Sequence, residues 1–259
     1  MSTNLNGNIY PVWGINSENQ VFAVDANNAV HVLSDANFAE VIAISESGIV
    51  WAISGVPDPS SGSVLYFSTG DGKWTALTNV PGAVILTGGN ADGAVYATED
   101  GQIWTVNTIG EGEQIANIQD LQELDYGGGN LWAVFPEKPG GPACLQFTSA
   151  SQVPAVWKPF AGSPSVSGIS ANYSGDCYAA SDYNPMYYSQ DGQSSNSAGS
   201  GANGSTLALT FKNTFYLLST SADENGNKVM IWVDEKGGVF QDAGFQAIQV
   251  LASYYLPSS

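Results

Sequence analysis

The sequence predicts an all-β chain folded as a six-bladed β-propeller, and three observations carry that expectation. A four-residue pattern of apolar, aromatic, small and usually apolar residues recurs six times along the chain. Skipping one copy gives separations of 83, 81, 82 and 84 residues, so the chain reads as three double units of about 82. Between copies stand Gly, Asn and Asp clusters, and no stretch sustains a 3.6-residue apolar period, so strands and tight turns are expected and helix is not.

The pattern runs Val12-Trp13-Gly14-Ile15, Val50-Trp51-Ala52-Ile53, Val95-Tyr96-Ala97-Thr98, Leu131-Trp132-Ala133-Val134, Cys177-Tyr178-Ala179-Ala180 and Phe215-Tyr216-Leu217-Leu218. A blade's second strand is covered on both sides by neighbouring blades, so a large aromatic there needs a small neighbour. A further apolar–aromatic element follows each copy, as in Val21-Phe22, Leu65-Tyr66, Ile103-Trp104, Met186-Tyr187 and Ile231-Trp232; Leu145-Gln146-Phe147 replaces it in the fourth. Asn27-Asn28, Asp71-Gly72, Asp100-Gly101 and Asp191-Gly192 suit hairpin turns, where positive φ is required.

Before five of the six copies lies an apolar segment suited to an inner strand around a central channel: 40–45, 83–87, 121–126, 166–171 and 206–211. The copy at Trp13 lacks one, and the C-terminal run 247–254 is in surplus. The last strand is therefore expected to complete the first blade, making residues 1–259 one closed domain without a free sheet edge. The polar segment 192–205 falls where the fifth blade needs its outer strand.

Charge narrows the function. Twenty-four acids face six bases, all of them Lys, for a net charge of −18, with no Arg and with His31 as the sole histidine. Such a surface repels nucleic acid and anionic membranes. One His and two Cys cannot furnish a His/Cys zinc centre, and sialidase chemistry lacks its Arg cluster. The first residues, Met1 to Gly7, show neither a basic start nor an apolar core, which points to a cytoplasmic chain without a signal peptide. The expected partners are glycans or another small neutral ligand, with no nucleic acid and no membrane insertion.

The segment Val12-Trp13-Gly14-Ile15-Asn16 followed by Gln20-Val21-Phe22 resembles the core of a tectonin repeat. So does the stretch from Trp74 through Asn79-Val80-Pro81-Gly82 and Gly93 to Val95-Tyr96-Ala97. The resemblance implies a propeller lectin or lectin-like defence protein that binds glycans, including O-methylated sugars, often without metal. The chain is then expected to be a carbohydrate-binding protein for neutral glycans, not an enzyme, and to need no cofactor. One alternative is a carrier enclosing a small apolar or aromatic molecule in the central channel. Another is a metal-dependent lactonase-type hydrolase.

Sugar sites pair an aromatic face with groups that hold hydroxyls. Most aromatics here recur at blade-packing positions, which leaves Trp74 and Trp157 as candidate platforms. Long connections 55–63, 135–143 and 219–228 between second and third strands add Asp58, Lys138, Asp223 and Glu224 around one channel mouth. Glu46, Asn90, Asp92, Asp125 and Asp176 could supply metal-binding oxygens, though solvated turns are their plainer role. His31 sits in an alternating strand with no carboxylate placed to orient it, and Cys177 occupies an apolar slot of the repeat as a buried, inert thiol.

Overall fold

The computed structural model describes residues 12–16, 18–24, 29–32, 38–55, 63–70, 72–160, 168–171 and 175–180, and beyond these the strands from Met186 to Ser253. Every regular element among them is a strand. Blade 1 contains β1 (Val12–Asn16), β2 (Val21–Val24) and β3 (Val30–Val32). Blade 2 is β4 (Ala39–Ile44), β5 (Val50–Ser54), β6 (Leu65–Ser68) and β7 (Thr75–Leu77). Blade 3 is β8 (Ile85–Gly88), β9 (Ala94–Ala97), β10 (Gln102–Val106) and β11 (Gly112–Asn117). Blade 4 follows as β12 (Glu123–Gly127), β13 (Asn130–Pro136), β14 (Ala143–Ser149) and β15 (Lys158–Pro159). Blade 5 is β16 (Gly168–Ala171), β17 (Cys177–Ala180), β18 (Met186–Tyr188) and β19 (Ser194–Asn196). Blade 6 is β20 (Gly204–Leu209), β21 (Phe215–Ala222), β22 (Lys228–Val233) and β23 (Phe240–Asp242), and β24 (Ile248–Ser253) ends the series.

All pairings are antiparallel, and each blade is a four-stranded meander. The six inner strands form a closed ring: β4 lies beside β8, β8 beside β12, β12 beside β16, β16 beside β20, β20 beside β24, and β24 beside β4. Closure is as the sequence implies. β24 pairs with β1, placing Leu251 opposite Gly14 and Ala252 opposite Trp13, so the last strand is the inner strand of the first blade. A single further pair, Lys228 with Ile248, ties it to blade 6. The polar segment 192–205 does furnish an outer strand, β19, paired with β18.

The core consists of inter-blade layers. Trp13 and Ile15 meet Ile42, Ile44 and Val50 between blades 1 and 2. Trp51 and Ile53 meet Leu86 and Tyr96 between blades 2 and 3. Val95 and Ile103 meet Leu124 and Leu131 between blades 3 and 4, and Trp132 and Val134 meet Ile169 and Cys177 between blades 4 and 5. Trp51 and Trp132 are completely buried; each covers roughly 150–250 Å² of mostly apolar surface, or ~4–6 kcal/mol of transfer free energy. Their indole N–H groups do the same job one double unit apart. Trp51 Nε1 donates to the Asp92 carbonyl (3.2 Å) and Trp132 Nε1 to the Gly175 carbonyl (2.9 Å), both in the first turn of the following blade.

One feature of the repeat departs from the sequence pattern. Tyr96 is buried like the tryptophans, but it faces the preceding blade, while Val95 and Ala97 face the following one. Trp13, Trp51 and Trp132 all face forward. Since both faces of the second strand are buried, an apolar–aromatic–small string does not reveal which side the aromatic takes.

Candidate ligand-binding cleft

Turns between first and second strands, and between third and fourth, emerge at one end of the propeller. There, a cleft of about 580 Å³ opens between blades 3 and 4. One wall is the turn 89–93, which links β8 to β9, with residues 105–111 behind it. The other wall is Gly129 and Ser149 to Ser151 of blade 4.

Local chemistry fixes the first wall. Ala91 adopts the left-handed conformation (φ 49°), which turns the chain tightly. Its carbonyl accepts from Ser47 N (2.8 Å) and its N–H reaches Glu46 Oε2 (3.4 Å), clamping the turn onto blade 2. Glu46 also accepts from the Tyr126 hydroxyl (3.3 Å), so one carboxylate ties the turns of blades 2 and 3 to inner strand β12 of blade 4. Asn107 Oδ1 accepts from the N–H groups of Ile109 and Glu111 (3.1 and 3.0 Å), and its amide donates to Glu111 Oε2 (3.1 Å). This is the side-chain turn chemistry for which Asn is favoured. Asp92 Oδ2 accepts from Thr108 Oγ1 (2.8 Å).

The result is a preformed cleft with two kinds of surface. Its floor holds buried Ala94, Val95 and Val106 with the buried Tyr126 ring; its rim holds Asn90, Asn107, Ser149, Ser151, Asp92 and Glu111. Asn90 is exposed, and its amide makes no hydrogen bond among the described residues. Two hydroxyls, Ser149 Oγ and Ser151 Oγ, lie 3.0 Å apart. No Lys lines the space. Such a site disfavours anions and suits a neutral molecule with an apolar face and hydroxyl edges.

Of the residues singled out from sequence, Asn90 and Asp92 line this cleft, whereas Trp74, Trp157 and Lys138 do not. Trp74 stands half-buried just before β7, its ring edge-on to Phe38 (centroids 5.3 Å apart, planes at 83°). Trp157 stands just before β15 in the same relation to Phe135 (5.2 Å, 84°). Both indole Nε1 atoms are buried without a hydrogen-bond partner among the described residues. Both rings pack against the inter-blade layers, Trp74 between blades 1 and 2 and Trp157 between blades 3 and 4. Lys138 is exposed on the β13–β14 connection, at the end opposite the cleft. Asp58, Asp223 and Glu224 lie outside the described residues. His31 is on outer strand β3 opposite Ala23; Cys144 and Cys177 are both free thiols, and burial pushes the Cys177 thiol well up.

A metal centre finds little support in the side chains. Calcium takes ~6–8 oxygens, whereas no three His, Cys, Asp or Glu groups converge among the described residues. Glu46 and Asp92 already accept from protein donors, as does Asp125. Among the described residues no such donor set is assembled.

No family model and no curated protein matches this sequence. Solved structures do match in fold. TolB from Acinetobacter baumannii superposes with a TM-score of 0.69 at 10% identity, covering 96% of this chain and 67% of that one. XC5397 from Xanthomonas campestris, a gluconolactonase, superposes at 0.58 and 12%, covering 83% and 88%. Virginiamycin B lyase from Staphylococcus aureus gives 0.57 and 11%, covering 93% and 85%. At such identities the likeness establishes the β-propeller fold and leaves activity to the residues. It does not single out tectonin-type lectins. It also overturns the expectation that the chain is not an enzyme: a lactonase and a lyase share this architecture, which is therefore enzyme-capable.

Proposed function

We propose that the chain binds small, neutral, hydroxyl-rich ligands of the carbohydrate class in the cleft between blades 3 and 4. The observation that carries this reading is the pairing of an apolar floor with a rim of amides, hydroxyls and carboxylates and no cation. A pyranose has the same division, with C–H patches on its faces and hydroxyls at its edges. The absence of Arg from the whole chain favours uncharged ligands in the same way. The carbohydrate reading thereby moves from the two half-buried indoles to a site built from turns.

Trp51 provides the reporter, since its indole N–H bonds to the Asp92 carbonyl in the cleft wall. Titrating ¹⁵N-labelled protein with methyl glucoside, methyl mannoside and methyl galactoside should shift the Trp51 indole resonance saturably for at least one of them. The Trp132 indole, which bonds to Gly175 at the next interface, should stay still. A shallow polar site of this kind corresponds to a Kd of roughly 1 mM. Asn90→Ala should weaken binding about tenfold, the worth of ~1.4 kcal/mol, and Ser149→Trp should block it. No saturable shift with any glycoside, or binding that ignores both substitutions, would end this reading.

A further inference from the structure

The cleft between blades 3 and 4 does not end at its polar rim. Among the described residues six large apolar side chains are exposed: Val30, Val32, Val84, Ile109, Val153 and Val156. Three of these, Ile109, Val153 and Val156, stand on the two connections that frame the cleft. Single exposed hydrophobics are ordinary on a protein surface, but several beside one polar-rimmed groove mark a place where something apolar rests.

Backbone geometry places all three. Ile109 is the apex of the turn between β10 and β11, whose Asn107 and Glu111 line the cleft. Asn107 Oδ1 accepts from the N–H groups of Ile109 and Glu111, and the Asn107 carbonyl accepts from Gly110 N–H (3.0 Å). The turn is thus closed on itself, and its apex side chain is 72% exposed. The connection from β14 to β15 forms the facing side. Ala150 N–H donates to the Gly129 carbonyl (2.9 Å) and Gln152 N–H to the Ser149 carbonyl (3.1 Å), which fixes its start on blade 4. Ala155 N–H then donates to the Ile115 carbonyl of β11 (3.1 Å), so the connection crosses to the outer strand of blade 3. Val153 and Val156 flank that crossing and are 48% and 53% exposed. The layer beneath is already filled by Ile115, Ala150 and Trp157, so burying these side chains takes a partner.

Charge narrows the partner. Glu111 and Glu113 are both exposed on the blade 3 side, and no Lys lines the cleft. An apolar chain with an anionic head is therefore repelled. A free sugar would leave the three apolar side chains in water, and an alkane would leave the amides and hydroxyls of the rim without partners. We propose that the ligand of this cleft is a glycoside with an uncharged apolar aglycone, its sugar between blades 3 and 4 and its aglycone on a lip formed by Ile109, Val153 and Val156. This ligand class rests on the carbohydrate reading of the cleft and supplies the half of the molecule which that reading leaves open.

The test titrates ¹⁵N-labelled protein with methyl, butyl and hexyl glycosides of glucose, mannose and galactose, and with hexyl sulfate, following the Trp51 indole. A fully buried methylene is worth up to about fourfold in affinity. On a half-open lip the hexyl glycoside should therefore bind ~10–100-fold more tightly than the methyl glycoside of the same sugar. Ile109→Ser combined with Val153→Ser should bring that ratio down toward 1. Val32→Ser, at a similarly exposed valine on outer strand β3 of blade 1, should leave it untouched. Hexyl sulfate should not shift the Trp51 resonance. A methyl glycoside that binds while its hexyl homologue binds no more tightly would overturn the lip and leave the sugar site standing. A gain that survives the double substitution, or hexyl sulfate binding as well as the hexyl glycoside, would overturn it too. If no glycoside of any chain length binds, the sugar site itself is absent and the lip falls with it.

Discussion

At the scale of single residues, the most informative contacts are the indole bonds that cross from one blade to the next. The Gly175 carbonyl accepts from Trp132 Nε1 and also from the Asn130 amide (3.1 Å), whereas the Asp92 carbonyl has Trp51 as its side-chain donor. Trp51→Phe should therefore cost more than its lost ring alone, ~2–4 kcal/mol in all, because a cavity and an orphaned carbonyl coincide. Trp132→Phe should cost less in the wild-type background and more when Asn130 is Ala. Urea denaturation of the single and double variants measures that coupling. The two acids of inner strand β12 make a separate prediction. Glu123 and Asp125 titrate near 7 and 6 in the folded chain instead of 4.5 and 3.8. Between about pH 4 and 7 the folded state thus binds more protons than the unfolded one. Their contribution to stability is fully present below pH ~4, falls as pH rises through that window, and levels off above it. Glu123→Gln should flatten much of this slope and raise stability at pH 8 by ~1–2 kcal/mol, discounted for the part of the side chain that stays accessible. Denaturation midpoints at pH 4.5, 6 and 8 decide it; an unchanged slope in the variant would put the pH dependence elsewhere.

At the scale of elements, β24 is the strand on which the ring depends. It supplies the inner edge of blade 1 through five residue pairs with β1 and lies between β20 and β4. Without it, β1 would present an open edge at the centre of the molecule, and the ring would lose one of its six inner strands. A chain ending before Ile248 should lose its cooperative thermal transition and aggregate. A synthetic peptide spanning 247–256 should restore both the transition and the monomer, since the pairing is antiparallel and needs no covalent link. Calorimetry and size-exclusion chromatography report on both. This closure could be inferred from the sequence because an inner strand is missing before Trp13 and one is in surplus after Phe240. The inner strands were similarly legible, within a residue or two, from their position before each aromatic copy. The direction of Tyr96 was not, because burial on both faces removes the alternation that would reveal it. Nor was the cleft, which is assembled from turns of two blades whose residues look like ordinary solvated Asn, Asp and Ser. Glu123 and Asp125 are two acids at alternate positions of an inner strand, where β4 places Val41 and Ala43 in the same register.

At the scale of the whole molecule, the −18 charge is spread over turns and edges, with Glu18, Glu99, Asp100, Glu111, Glu113, Asp120 and Glu137 all exposed. Glu46, Asp92, Glu123, Asp125 and Asp176 are half-buried instead, with Glu123 and Asp125 on inner strand β12. Exposed like charges on a closed ring repel one another over distances comparable to the Debye length, ~30 Å at 0.01 M salt and ~8 Å at 0.15 M. Raising NaCl from 10 mM to 500 mM should therefore raise the thermal midpoint by several degrees, even though salt bridges have little to lose with only six Lys in the chain. The same field acts on ligands according to their charge. Methyl glucoside should bind the cleft with an affinity that hardly changes over this salt range, while methyl glucuronide, of the same shape with one carboxylate, should be excluded at 10 mM and recover part of its binding at 500 mM. Parallel titrations at the two salt concentrations separate the readings. If both glycosides respond alike, the field does not reach the cleft and its selectivity rests on local contacts; if the anion binds better at low salt, a cation must stand there, contrary to the carboxylates and amides that line its rim.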